Sequence, residues 1–113
     1  MVKYKNERQF VTAYLKEMKD NGERVYKLPD SWFSLKPFDA ISIELWVPFA
    51  MEFKYWDVNT YDKIYKMLRP NQIWWLKRFQ DAWGKSFVIW WDVKEEKTYI
   101  YPFEYLWNNK KEL

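Results

Sequence analysis

Apolar residues near the N-terminus recur every three or four positions, which predicts an amphipathic helix over residues 7–20. Asn6 followed three residues later by Gln9 is typical of a capping box, and Asn21-Gly22 is typical of a helix stop. Glu7 falls on the inward stripe one turn before the first apolar residue, although its charge also suits the helix N-terminus. The apolar residues of the stripe are Phe10, Val11, Tyr14, Leu15 and Met18.

The next segment has the pattern of extended strands. Residues 24–28 predict a short strand, and residues 39–44 and 49–54 predict a hairpin closed by Leu45-Trp46-Val47-Pro48. The predicted register places residue 44 opposite residue 49.

In that register Asp39 faces Lys54, and Ile41 faces Glu52. Side chains that lie opposite each other, and those two positions apart on one strand, share a face of the sheet. Asp39, Glu52 and Lys54 are therefore predicted to emerge together.

The second half of the chain returns to helical spacing. Residues 61–68 predict a short helix or an ordered loop, and Pro70 suits the first turn of a longer helix that ends at Gly84. Gln72 lies at the start of this longer helix, on its core-facing side, one turn before Leu76. The remaining elements are predicted as a buried strand Ser86–Val93, a turn, a returning strand Thr98–Tyr101 and a final helix Phe103–Trp107. The predicted order is α, β, β, β, α, β, β, α.

The composition limits the available chemistry. At 113 residues the chain predicts one domain spanning residues 1–113, and it contains no cysteine and no histidine. Disulfides, zinc thiolate sites, cysteine nucleophiles and histidine bases are therefore excluded, which leaves carboxylates, lysines or a metal for catalysis. The N-terminus lacks an apolar signal core and no apolar run approaches the length of a membrane span, so we expect no membrane contact and a cytoplasmic location.

Basic residues concentrate in one region of the chain. The formal net charge is only +3, but the segment from Tyr61 to Lys85 holds six basic residues and two acids. This excess is compatible with a surface that follows a phosphate backbone, and equally with a solvated helix face. The six basic residues are Lys63, Lys66, Arg69, Lys77, Arg78 and Lys85.

The strongest chemical signal is Pro-Phe-Asp39 followed by Glu52-Phe-Lys54. Two carboxylates on adjacent strand ends can hold Mg²⁺, and a lysine two residues along the same strand places a cation beside them. The alternative is a solvated strand face with an ordinary surface glutamate and lysine. Apolar neighbours on both faces of these strands argue against that alternative, because charges in such surroundings are seldom incidental.

The order of elements, these two motifs, and Asn71-Gln72 opening a helix with Leu76 one turn later resemble the PD-(D/E)XK nuclease superfamily. The likeness is greatest to the RecU-type Holliday junction resolvases and extends from Glu7 to about Trp91. It implies an α/β fold with a restriction-endonuclease-like αβββαβ core, in which a mixed central sheet is flanked by helices. The dozen or so residues between Gly22 and Pro37 leave no room for the protruding stalk of those resolvases, so we expect a minimal, stalk-less version.

The resemblance also implies roles for individual residues. Asp39 and Glu52 correspond to the residues that bind Mg²⁺ or Mn²⁺, and Lys54 to the lysine that steadies the attacking water or the charge developing on phosphorus. Glu7 resembles the helix-borne acid that many members place near the metal. Gln72 resembles the polar residue that the helix start directs into the site.

These assignments predict a metal-dependent endonuclease that acts on branched or four-way junction DNA. The DNA is expected to lie along Lys63, Lys66, Arg69, Lys77 and Arg78. Two symmetric cuts require two active sites, so we expect a homodimer. Two alternatives remain open: another small nuclease of the same fold, acting on flaps, nicks or duplex DNA, and a non-catalytic nucleic-acid-binding module. The tryptophans considered for the dimer interface are Trp46, Trp56, Trp75 and Trp107.

Overall fold

The computed structural model describes residues 3–29, 38–44, 47–56, 61–82 and 84–109. The first half contains helix α1 (Glu7–Asp20) and strands β1 (Arg24–Lys27), β2 (Ala40–Glu44) and β3 (Val47–Trp56). The second half contains helices α2 (Tyr61–Met67) and α3 (Pro70–Ala82), strands β4 (Lys85–Asp92) and β5 (Lys97–Pro102), and helix α4 (Phe103–Asn108).

The five strands form one mixed sheet in the order β1-β2-β3-β4-β5. All neighbours are antiparallel except β3 and β4, which run parallel and are connected through α2 and α3. β4 is buried along most of its length because its apolar run faces helices on both sides of the sheet.

Each face of the sheet has its own apolar core. On one face α1 packs against alternate residues of β3 and β4. On the other face α2, α3 and α4 pack against the intervening residues of the same strands. The first core is centred on Phe10, Leu15, Met51, Phe53, Ile89 and Trp91, and the second on Ile64, Leu76, Val88, Trp90, Phe103 and Leu106.

Both predicted ends of α1 are confirmed. The side-chain oxygen of Asn6 accepts a hydrogen bond from the Gln9 backbone N–H at 2.9 Å, while the Gln9 side chain accepts from the Lys5 N–H at 2.9 Å. At the other end Gly22 has φ +87°, a left-handed conformation in which its N–H bonds back into the last helical turn. The expected inward stripe holds for the apolar residues, but Glu7 at its start is exposed.

The predicted hairpin is present, but its register was wrong by two residues. Ile41 pairs with Ala50 and Glu44 pairs with Val47, so Val47 and Pro48 belong to β3 rather than to the turn. Pro48 is tolerated in the strand because β4 begins only at the level of Phe49, so the missing N–H interrupts no ladder with β4. The shift preserves the predicted faces, because side-chain direction repeats every two residues.

Pro48 also explains the glycine that follows α3. A Cβ placed on Gly84 would lie 2.1 Å from the Pro48 carbonyl oxygen, so only glycine allows this close approach of the two backbones. α3 itself ends at Ala82, two residues before the predicted end. Trp46 and Trp83 lie outside the described residues.

Candidate functional site

The candidate site lies where β3 continues past the start of β2. Ala40, the first residue of β2, pairs with Met51, and Asp39 comes immediately before it. The Asp39 N–H donates to the Met51 carbonyl oxygen at 3.0 Å, and the Asp39 carboxylate accepts from the Phe53 N–H at 2.7 Å. The Asp39 carboxylate is thereby held against the segment of β3 that carries Glu52.

Glu52 is linked through Gln72 to the start of α3. The Gln72 side-chain amide donates to Glu52 Oε2 at 2.9 Å, and both side chains are almost fully buried. The Gln72 oxygen accepts from Lys54 Nζ at 3.2 Å and from the Arg69 backbone N–H at 3.0 Å. Lys54 Nζ lies 3.5 Å from Glu52 Oε2. Glu52, Lys54 and Gln72 therefore form one connected polar cluster.

The electrostatics of Glu52 are unusual for a glutamate. Burial, and then the charge of Asp39, raise the pKa of Glu52 to about 8, against the opposing effect of Lys54. Glu7 contributes to the same rise, which means that its exposed carboxylate acts on the site from the first turn of α1. The other carboxylate oxygen of Glu52, Oε1, is buried and has no hydrogen-bond partner among the residues that the structure describes. This arrangement disfavours a bare glutamate anion and favours a proton or a cation beside it.

The donor set of this site fits Mg²⁺ or Mn²⁺. Asp39 and Glu52 supply carboxylate oxygens, the ligands that such hard cations prefer, and the unpartnered Oε1 offers a lone pair. Within the described ranges no group of three or more acidic, histidine or cysteine side chains converges at metal-binding distance. Two carboxylates are nevertheless sufficient for Mg²⁺, which commonly completes its shell with water and substrate phosphate.

Two parts of the site had no signal in the sequence. Both are backbone N–H groups: that of Phe53 fixes Asp39, and that of Arg69 fixes Gln72. Any residue except proline supplies a backbone N–H, so side-chain chemistry cannot reveal such contacts.

The predicted DNA-binding residues differ in exposure and in how far their charges are already compensated within the protein. Lys66 and Arg69 are exposed, and neither forms an ion pair with a residue whose side chain the structure describes. Arg78 is exposed and lies over the Trp74 ring at 4.8 Å. Lys77 pairs with Asp81 at 2.6 Å and lies over Trp107, so much of its charge is already compensated. Lys63 belongs to α2, but its side chain lies outside the described part.

The tryptophans considered for an interface also divide into two groups. Trp56 and Trp75 are exposed by 53% and 41%. Trp107 is only half-buried, but it packs beside Phe103 in the second core. Trp56 and Trp75 therefore remain the candidates for contact with another molecule.

The raised pKa of Glu52 predicts how the stability of the metal-free protein depends on pH. Since the folded pKa is about 8 against an ordinary value of 4.5, the folded state holds more protons than the unfolded state between these values. The free energy of unfolding is therefore expected to fall, by on the order of a few kcal/mol, as pH rises through this window. Urea denaturation in EDTA measures this fall.

Two controls test whether Glu52 causes the fall in the free energy of unfolding with rising pH. Glu52→Gln carries no titrating group at this position and is expected to flatten the profile. Added Mg²⁺ is expected to restore stability at the alkaline end, because it binds the folded state. Identical slopes for the wild type and the variant would contradict the assignment of the pH dependence to Glu52.

Comparisons with known proteins bear on the fold. No family model and no curated protein matches the chain. Among solved structures, it is similar to Hjc of Archaeoglobus fulgidus, a Holliday junction resolvase from an archaeal hyperthermophile, with a TM-score of 0.62 and 17% sequence identity. The match covers 84% of this chain and 74% of that chain. The likeness confirms the predicted α/β fold, with a mixed five-stranded sheet flanked by helices as in a resolvase.

The helices bear on membrane association. In the described ranges, none combines the length and apolar character that crossing a bilayer requires.

Proposed function

We propose that this protein is a metal-dependent DNA endonuclease of the PD-(D/E)XK type, comprising residues 1–113 as one nuclease domain. The observation that carries the proposal is the buried Glu52 carboxylate, which lies in the field of Asp39 and has one oxygen without a hydrogen-bond partner in the described part of the chain. A buried carboxylate beside a second acid is costly to the fold unless a cation compensates it, so it is better explained by function than by stability.

The residues of the candidate site have separate proposed roles in phosphodiester hydrolysis. Asp39 and Glu52 would hold Mg²⁺ or Mn²⁺, which would supply Lewis-acid polarisation of the phosphate and a lower pKa for the attacking water. Lys54, positioned by its contact with Gln72, stabilises negative charge as it develops on the phosphoryl oxygens. Gln72 orients both Glu52 and Lys54, and Glu7 adds negative potential at the rim.

The proposed substrate is branched DNA, most specifically a four-way junction. Support comes from the resemblance in sequence motifs and from a fold shared with a Holliday junction resolvase. The same metal site would serve a flap, nicking or duplex nuclease, so choice of substrate is a separate question from the chemistry. A RecU-like specificity without a stalk is the narrowest form of the proposal.

A cleavage gel separates these functions. Labelled four-way junction, flap, nicked, duplex and single-stranded DNAs are incubated with Mg²⁺ and with EDTA. Paired symmetric cuts confined to the junction are expected. Cutting of several structures would identify a general nuclease. Binding without metal-dependent cutting of any DNA would identify a binding module.

A four-way junction also requires two copies of the site. We propose a homodimer, with exposed Trp56 and Trp75 as candidate interface residues. Light scattering at working concentration measures its mass. A monomer both with and without junction DNA would count against paired cutting.

Salt dependence tests the DNA-binding surface. Wild-type affinity is expected to fall steeply as salt rises, because bound phosphates release counterions. The double variant Lys66→Gln/Arg69→Gln is expected to weaken binding and to reduce the salt slope by about two. Fluorescence anisotropy with the cleavage-deficient Glu52→Gln background measures both quantities. Lys16→Gln, in the second half of α1, is the control for loss of an exposed lysine charge outside the proposed DNA-binding surface. If the affinity for DNA did not change with salt, this surface would be excluded as the DNA-binding surface.

A further inference from the structure

A cavity of about 210 Å³ lies on the α1 face of the sheet, away from the candidate nuclease site. It lies between the second half of α1 and the strands β2 to β5. Most of its lining is apolar, including Met18, Phe49, Met51, Ile89 and Ile100. A cavity of about 150 Å³ accommodates benzene, so this one has room for a somewhat larger group.

Two polar side chains of β2 interrupt this apolar lining. Ser42 is 2% exposed, and its hydroxyl has no hydrogen-bond partner within the described ranges. Glu44, two residues along the same strand, shares its face and also lines the cavity. The Glu44 Oε1 atom is buried and also has no hydrogen-bond partner among the described residues. Buried polar atoms are nearly always paired, so these two atoms in one cavity indicate a missing partner. A carboxylate oxygen only accepts and a hydroxyl oxygen can accept, so one donor group would satisfy both.

The charge of the cavity limits what that donor can be. Glu23 lines the cavity together with Glu44, and Glu23 helps to raise the pKa of the half-buried Tyr14 beside it, after the larger effect of burial. An anion would be repelled by the two carboxylates. A purely apolar group would leave Ser42 and Glu44 unpaired. A cationic group on an apolar stem would donate hydrogen bonds to Ser42 and Glu44, and its stem would pack against the apolar walls.

The mouth of the cavity indicates how such a cation would arrive. Ile100 lines the cavity and is 51% exposed, and Val47, on the same face of β3 as Phe49, is 38% exposed. Apolar surface therefore continues outward from the cavity, as expected where another macromolecule docks.

We propose that this cavity receives a lysine or arginine side chain of a partner protein, presented between apolar residues. The methylene stem packs against the apolar walls, and the charged head donates to Ser42 Oγ and the Glu44 carboxylate. The proposal is independent of the nuclease function, because none of these residues belongs to the metal-site cluster.

Methyl NMR tests this proposal with defined peptides. The methyl groups of Met18, Met51, Ile89 and Ile100 are followed while the protein is titrated with acetyl-Leu-Leu-Arg-Leu-Leu-amide. The arginine peptide is expected to shift these signals saturably. A peptide with norleucine in place of arginine is expected to bind at least about tenfold more weakly, since it lacks the charge-assisted hydrogen bonds.

Variants identify the groups that recognise the cation. Ser42→Ala and Glu44→Gln are each expected to reduce the advantage of the arginine peptide, while the matched control Glu104→Gln on α4 leaves it unchanged. Ser42→Ala is also expected to unfold at the same or higher urea concentration, because it removes an unpaired hydroxyl. Marked destabilisation would show that the hydroxyl has a partner and would overturn the proposal.

Three further results would overturn it. Equal binding of both peptides would make the cavity a plain apolar groove. Absence of methyl shifts with either peptide would remove the site. Tighter binding of free n-pentylammonium than of the arginine peptide would identify a small amine, and not a partner protein, as the occupant.

Discussion

Glu52→Gln is expected to lower metal-dependent cleavage of junction DNA by about 10³-fold while leaving the fold and DNA binding intact. Glutamine keeps the size of the side chain, and its oxygen can still accept the hydrogen bond from Gln72. It removes the negative charge that would hold Mg²⁺. The fold tolerates the change because a neutral amide is easier to bury than a carboxylate whose pKa is raised to about 8.

Single-turnover cleavage at saturating DNA and Mg²⁺ measures this loss, and anisotropy in EDTA measures binding separately. Glu17→Gln is the matched control, because Glu17 is an exposed acid in the later part of α1. Cleavage by Glu52→Gln at the wild-type rate would refute the metal site. Loss of cleavage together with loss of binding or folding would show that Glu52 is structural.

Lys54→Met is expected to reduce the cleavage rate by about 10²-fold, because it removes a cation positioned for the developing charge on phosphate. It is also expected to move the rising limb of the pH–rate profile to higher pH. The charge of Lys54 opposes the rise in the pKa of Glu52, so its removal lets that pKa rise further.

The pH–rate profile distinguishes a chemical role for Lys54 from a merely structural one. A structural defect would lower the rate uniformly across pH, whereas loss of the charge also displaces the profile. Lys16→Met on α1 is the matched control, since Lys16 is exposed and pairs only with neighbouring Asp20 among the described residues. A profile that keeps its shape and position would contradict the electrostatic role.

The sequence was sufficient to predict which candidate residues share a face, although not their alignment along the strands. Treating Pro48 as part of the turn shifted the pairing of β2 with β3 by two residues. An error of two preserves side-chain direction, whereas an error of one would have separated Asp39 from Glu52. Helical spacing, in which Gln72 lies one turn before Leu76, correctly directed Gln72 toward the core at the start of α3.

Energetic features of the site could not be predicted in the same way. The burial of Glu52 depends on α3 closing over the sheet, and the pKa of Glu52 depends on that burial and on the charges of Asp39 and Glu7, which are distant in sequence, as well as on neighbouring Lys54. Periodicity placed Glu7 on an inward stripe, but in the structure Glu7, in the first turn of α1, is exposed. Local patterns specify side-chain direction, whereas burial is a property of the assembled fold.

The hydrogen-bonded cluster around Glu52 has a consequence for the proposed binding of a metal ion. Burial and the charge of Asp39 raise the pKa of Glu52 to about 8, so the protonated carboxyl is favoured near neutral pH. Binding of Mg²⁺ at Glu52, as proposed, would therefore release a proton. The apparent affinity for Mg²⁺ is then expected to increase with pH, and the calorimetric heat of binding is expected to vary with the ionisation enthalpy of the buffer.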